Sequence, residues 1–280
     1  MAPLPETSIA ALCAQYAVLL LDAYGVLVDE SGPLPGAGAL LHHLNETQKL
    51  YWILTNDASK LPQTLARRYA AYGFPVGPDR FLTSGDVLAP YFAAHGLTGS
   101  RSVVLGPEDT VRYVEQAGGR PVSPGEDFDV IVVGDVDGFP LRETIDRLIT
   151  ALFHKLDRGD RVHLLLPNPD LIYPVANGRF GMASGSLALL LEAALRLRFP
   201  GRPDFRFVPL GKPDTALFAE AARRSGTRNM IMIGDQLETD MRGAHAFGID
   251  SALVTTGLTV SPAPLSGSAR PTYILRSLSP

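Results

Sequence analysis

The chain has 280 residues, 46% of them hydrophobic, enough to bury one large core or two smaller ones. Its net charge is −4 and no cluster of Lys and Arg stands out, which argues against nucleic acid or an anionic membrane as partner. The single cysteine, Cys13, excludes an internal disulfide framework and a cysteine-rich zinc site, and fits a reducing compartment.

The first residues, Met1–Glu6, are neither basic nor strongly apolar, so no signal peptide is expected. The longest apolar stretches, Ala17–Leu21 and Leu187–Leu195, are too short or too interrupted to span a bilayer, so the reading is a soluble cytoplasmic protein. In chain order, strand-like and helix-like segments alternate, which predicts an α/β fold. Val18–Leu21 is apolar at every position and reads as a strand buried on both faces, ending at Asp22 and the turn Ala23-Tyr24-Gly25. Pro35-Gly36-Ala37-Gly38 opens a helix to about Leu44, and Leu50–Leu54 is a strand that exits at Thr55-Asn56-Asp57. A helix then runs from Pro62 to Tyr72, stopped by Gly73.

Strands at Ser102–Leu105, Val130–Val133 and Val162–Leu166 and helices near Leu141–Leu156 and Leu187–Leu197 follow. Pro/Gly-rich punctuation brackets them, Gly96–Gly99 before and Pro200-Gly201-Arg202-Pro203 after. That predicts an inserted α/β domain over 98–205 between two parts of a core domain, 1–97 and 206–280. The last part holds a strand at Phe207–Leu210, the turn Gly211-Lys212-Pro213, a helix over Thr215–Arg224 and a strand at Met230–Ile233 that exits at Gly234-Asp235. The Ser- and Pro-rich tail after Gly257 reads as loop, with Thr272–Leu275 as an edge strand.

Four strand ends carry groups that phosphoryl transfer needs. Asp22 suits a nucleophile, and Asp235 suits a hard cation such as Mg2+, which prefers oxygen. Thr55 and Asn56 offer a hydroxyl and backbone N–H groups to phosphate. Lys212 offers a fixed charge, and Asp240 a group behind the metal or the lysine. Each element alone is ordinary turn chemistry; the ordered set is the signal.

That set resembles the haloacid dehalogenase-like hydrolases over nearly the whole chain. The resemblance rests on Asp22-Ala23-Tyr24-Gly25, Thr55-Asn56, Lys212 in Gly-Lys-Pro, and Gly234-Asp235 through Asp240. Pro33-Leu34-Pro35-Gly36, Asn168-Pro169-Asp170 and Gly185-Ser186-Leu187 look like the IIA subclass, which carries a large α/β cap between the second and third motifs. The resemblance implies a doubly wound, mainly parallel Rossmann-like core sheet and a phosphatase of a small phosphorylated metabolite. It also implies an aspartyl-phosphate on Asp22, Mg2+ held by Asp22, Asp235 and the backbone carbonyl of residue 24, and a homodimer through the cap. Asp170 and Tyr173, in a cap loop, are the candidates for substrate choice.

One position departs from the pattern. Family phosphatases carry an acid two residues after the nucleophile, which protonates the leaving group and then activates water; here it is Tyr24. A phenol of pKa about 10 donates a hydrogen bond but is a poor base near neutrality. Three readings stay open: a slow or specialised magnesium phosphohydrolase, a 2-haloacid dehalogenase-like hydrolase with no need of metal, and a catalytically impaired ligand binder.

Val130–Val133 also runs into an Asp-x-Asp-Gly turn, Asp135-Val136-Asp137-Gly138, but no Thr-Asn strand end follows it before Lys212, so it reads as a turn with solvated acids. Gly36-Ala37-Gly38 lacks the third glycine of a dinucleotide loop. The six histidines show no metal-ligand spacing, Cys13 has no activating neighbour, and Leu187–Leu195, apolar almost all round, reads as a buried helix.

Overall fold

The computed structural model describes residues 4–175, 179–255 and 269–280. The segment after Gly257, read as loop, lies outside the described residues as far as residue 268. The chain starts with β1 (Glu6–Thr7), α1 (Ile9–Gln15), β2 (Val18–Leu21), β3 (Val28–Asp29) and β4 (Gly32–Pro33). It continues with α2 (Ala37–Glu46), β5 (Leu50–Thr55), α3 (Pro62–Ala71), β6 (Phe81–Thr83) and α4 (Leu88–Ala94). Next come β7 (Arg101–Leu105), α5 (Glu108–Gln116), β8 (Arg120–Val122), β9 (Val130–Val133), α6 (Leu141–Asp157) and β10 (His163–Leu166). A hairpin of β11 (Ile172–Val175) and β12 (Arg179–Met182), α7 (Ser184–Arg198) and β13 (Val208–Pro209) follow. The last elements are α8 (Ala216–Ser225), β14 (Met230–Gly234), α9 (Arg242–Phe247), β15 (Asp250–Val254) and β16 (Tyr273–Leu275).

Seven strands form one sheet in the order β1-β16-β15-β14-β2-β5-β6, and every pairing in it is parallel. Successive strands leave β2 on one side through β5 and on the other through β14. The order therefore reverses at β2, where doubly wound sheets bind their ligands. Alternation on β2 shows why the run had to be apolar throughout. Leu19 and Leu21 pack with α1, α2 and α3 on one face, while Val18 and Leu20 join the core on the other. All four are fully buried, and each contributes roughly 1.5–3 kcal/mol by leaving water.

A second parallel sheet, β13-β10-β9-β7-β8, stands against the first. One face of it adds Val130, Val132 and Leu165 to the core shared with β2 and β14. The other face carries Val103, Ile131 and Val133 beneath α6 and α7.

Three expectations are corrected. Val208–Pro209, grouped on sequence with the last core segment, hydrogen-bonds to β10 and extends the second sheet. β16 is second from the edge, because the two-residue β1 covers it. The Leu187–Leu195 helix is buried on one face alone: Leu187, Ala188, Leu191 and Leu195 are inside, whereas Leu189 and Leu190 are about half exposed, at 46% and 53%. One sheet face covers one side of a helix, and nothing among the described residues covers the other.

Candidate active site

Strand register brings the site together. Leu21 on β2 is level with Ile233 on β14 and with Ile53 on β5. The residues that leave these strands, Asp22, Asp235 and Thr55, therefore emerge at one edge of the sheet. The Asp22 amide donates to the Ile233 carbonyl at 2.9 Å, which ties the two acid-bearing exits together. The loop after Asp22 closes tightly, with the Gly25 amide donating to Val28 O at 2.8 Å. Gly25 sits at φ +91°, and a Cβ there would lie 2.4 Å from Asp235 Oδ2, so both conformation and space demand glycine.

Lys212 is the hub. It is 2% exposed, and its ammonium donates to Asp22 Oδ1 and to Asp240 Oδ1, each at 2.7 Å, and to the Leu54 carbonyl at 3.2 Å. Burial presses its pKa down, but the two carboxylates outweigh burial and hold it above the ordinary lysine value. Asp240 thus reaches the lysine from a π-helical turn, Leu237–Met241. Oxygens of Asp22, Asp235 and Asp240 all lie within 4.8 Å of one another, and all three residues are buried. Burial first, then Asp240 and Asp235, drives the Asp22 carboxyl well above its usual range, against the pull of Lys212.

The Asn56 side chain has a task separate from the backbone N–H expected to meet phosphate. Its Oδ1 accepts from the Lys212 amide at 2.7 Å, and its Nδ2 donates to the Lys212 carbonyl and to Asp170 Oδ1, both at 3.0 Å. Both amide hydrogens are engaged, so the side chain clamps the lysine loop and has no donor left for another group. Ser84 donates to the Asn56 carbonyl at 2.7 Å and holds the clamp from below. The Thr55 hydroxyl accepts from the Asp57 amide at 3.1 Å, which leaves its proton to donate.

The second sheet's loops complete the site. Asp170 meets Asn56, and burial pushes its carboxyl up to about 6 against the pull of that bond. Tyr173 packs edge-on to Tyr24, with ring centroids 6.3 Å apart. This is possible because Gly181 faces Tyr173 across the hairpin: a Cβ at 181 would sit 2.4 Å from the ring. Burial, then Glu30, pushes the Tyr24 phenol up to about 12. A cleft of about 280 Å³ opens between Ala23, Tyr24 and Thr55 on one side and Asp135, Asp170 and Tyr173 on the other. Asp22, Asp235, Asp240 and Lys212 are buried and are not among the residues that line it; Ala23 and Tyr24, which follow Asp22, are.

Sequence reasoning missed several lining residues. Asp135 and Asp137, set aside as a solvated turn, face this cleft, and Glu30, Arg68 and Tyr69 line it too. The signal at Asp135-Val136-Asp137-Gly138 was visible; what it lacked was any sign that the second sheet would place it opposite Tyr24.

A family model described as haloacid dehalogenase-like hydrolase matches residues 19–120, and a second, described as HAD-hydrolase-like, matches residues 209–280. Together they take in every strand end that bears a site group. The chain is a haloacid dehalogenase-like hydrolase. It is 26% identical over 261 residues to a dihydroxyacetone phosphatase of Corynebacterium glutamicum, a match covering 92% of this chain and 88% of that relative. Among solved structures, a possible sugar phosphatase of the HAD superfamily from Cytophaga hutchinsonii superposes with a TM-score of 0.81 at 29% identity, covering 99% of both chains. A glycerol phosphate phosphatase from Mycobacterium tuberculosis, solved in complex with magnesium, gives 0.77 at 26% identity, covering 95% of this chain and 76% of that one.

Proposed function

We propose that this hydrolase of the IIA subclass is a magnesium-dependent phosphatase of small phosphomonoesters, with a core built on the seven-stranded sheet and an inserted cap built on the second sheet, β7 to β13. The observation that carries the reading is the convergence on Lys212 and Asp22 of groups from four separate chain segments. The residues present fit a divalent cation. Three buried carboxylates bring oxygens within 4.8 Å of one another, and an all-oxygen donor set of this kind suits a hard divalent cation. Asp22, Asp235 and the carbonyl of Tyr24 would hold magnesium, which when bound supplies charge neutralisation between carboxylate and phosphate.

In this reading Asp22 Oδ1 is fixed by Lys212 and by the Ala23 amide at 2.8 Å, leaving Oδ2 as the attacking oxygen. A bond forms from Oδ2 to phosphorus as the bond to the alcohol oxygen breaks. Water then cleaves the aspartyl-phosphate, releasing phosphate and regenerating Asp22. Lys212 and Thr55 steady the phosphoryl oxygens. Asp240 keeps Lys212 in place and Asn56 holds its loop.

One observation favours a second reading, a ligand binder with impaired turnover: Tyr24 stands where the acid-base carboxylate belongs, and its phenol is held protonated. The clustered carboxylates weigh against metal-free attack on a haloacid. A panel of phosphate esters assayed with and without magnesium decides. The proposal expects magnesium-dependent phosphate release that Asp22→Asn abolishes. Tight ester binding without release favours the binder, and chloride release from a 2-chloro acid favours the dehalogenase.

We also propose a homodimer through the cap. Ile172, Phe180 and Met182 on the hairpin and Leu189 and Leu190 on α7 are exposed large apolar side chains, which support the reading.

A further inference from the structure

We infer that the cleft selects phosphomonoesters whose alcohol part carries a protonated amine, such as amino-alcohol or amino-sugar phosphates. The inference rests on the phosphatase reading above and names its substrate class.

The two ends of the cleft differ in charge. At the floor lie Tyr69 and Thr55, the residue after the Leu54 carbonyl that Lys212 contacts. Tyr69 is 2% exposed, lines the cleft, and its hydroxyl has no hydrogen-bond partner among the described residues. Burial raises its pKa, so the phenol stays a donor. A buried donor aimed into a cleft calls for an acceptor there, and a phosphoryl oxygen is one.

Away from the floor the lining is acidic. Glu30, Asp57, Asp135, Asp137 and Asp170 face the cleft, against Lys60 and Arg68. Lys60 is already paired with Asp57 at 3.2 Å, whereas Arg68, whose Nε donates to the neutral Tyr72 hydroxyl at 3.1 Å, keeps one positive charge on this lining. Asp170 is occupied by Asn56. That leaves Glu30, Asp135 and Asp137, which form no ion pair among the described residues and come from both sides of the cleft. Their charges act together on the Tyr173 phenol, which burial and then Glu30, Asp137 and Asp135 push up. The rings of Tyr24 and Tyr173 stand beside them, and aromatic faces attract ammonium groups. Three carboxylates against the one guanidinium of Arg68 leave the lining net negative: a carboxylate-bearing ester would meet mostly like charge, and an ammonium mostly opposite charge and two aromatic rings.

The test compares ethanolamine phosphate, glycerol 3-phosphate and phosphoglycolate, which place a cation, a neutral hydroxyl group or an anion beyond the phosphate. With magnesium, kcat/KM should fall in that order, with at least about tenfold between the first two, the equivalent of about 1.4 kcal/mol. The double variant Glu30→Gln/Asp137→Asn, at exposed positions, should shrink the amine-to-hydroxyl ratio toward unity. Equal rates for the three esters, a preference for phosphoglycolate, or an unchanged ratio in the variant would overturn the inference. Calorimetric binding of the same esters to Asp22→Asn separates it from the phosphatase reading. Tighter binding of ethanolamine phosphate with no turnover of any ester by the wild type sustains the preference and sinks the activity. Turnover of all three with no preference does the reverse.

Discussion

Lys212 sits 2.7 Å from each of two buried carboxylates, so removing its charge leaves both without a cation. Breaking such a network from one side costs about 3–5 kcal/mol. Lys212→Met should therefore lower the stability of the metal-free protein by about that amount in urea titration, and the deficit should shrink when magnesium is added. Tyr24 makes the opposite case, in which function and not stability is at stake. Its ring rests against Tyr173 at the cleft wall, and its phenol is too weak an acid to protonate a leaving group. Tyr24→Asp should raise kcat for a phosphate ester by about 10²-fold, the lower end of what a placed acid-base group supplies. A folded, magnesium-binding variant that is no faster would show that the missing acid is not what limits turnover. Asp170 supplies a pH test. Its folded pKa, about 6, lies above its unfolded value near 3.9, so the folded state binds the proton more tightly. Stability is then greatest below about pH 4 and declines as pH rises through about 6. Asp170→Asn should match the wild type in melting temperature near pH 4 and exceed it near pH 7.5.

At the scale of elements, legibility followed burial. β2, β5, β9 and β14 are buried strands in parallel sheets, so their sequences are nearly continuous apolar runs and could be located within a residue or two. The two-residue pair β3 and β4 and three-residue β8 carry no periodicity, because so short a segment has no second period to show, whereas β13 falls within the strand expected at Phe207–Leu210. Pairing of β13 with β10 depends on a partner some forty positions away, which no local pattern encodes. The apolar α7 misled for a related reason: composition reports how much surface wants cover, not how much the fold covers. Its uncovered side and the hairpin lead to a prediction for assembly. Phe180→Glu combined with Leu190→Lys should convert a sedimenting dimer into a monomer, with the helical signal retained.

For the whole molecule, the two sheets share one apolar core. Val130, Val132 and Leu165 of the second sheet join Val18, Leu20 and Met232 of the first, so the loops of the two sheets that line the cleft rise from one packed body. A cation held by Asp22, Asp235 and the Tyr24 carbonyl would favour the folded state alone. Magnesium at about 100 times its Kd should then stabilise the protein by about 2.7 kcal/mol. Asp235→Asn should remove most of that gain, measured as the magnesium-dependent rise in melting temperature. The sequence by itself determined which groups stand at which strand ends. Asp22, Thr55, Lys212 and Asp235 each follow an apolar run or a turn whose end is set by local chemistry. Tertiary structure alone decided what those groups do to one another. The clamp of Asn56 on the lysine loop, the hold of Lys212 on Asp240, and the arrival of Asp135 and Asp137 opposite Tyr24 all join residues far apart in the chain. Sheet register and the stacking of the second sheet bring them within reach, and neither is written in any local stretch of residues.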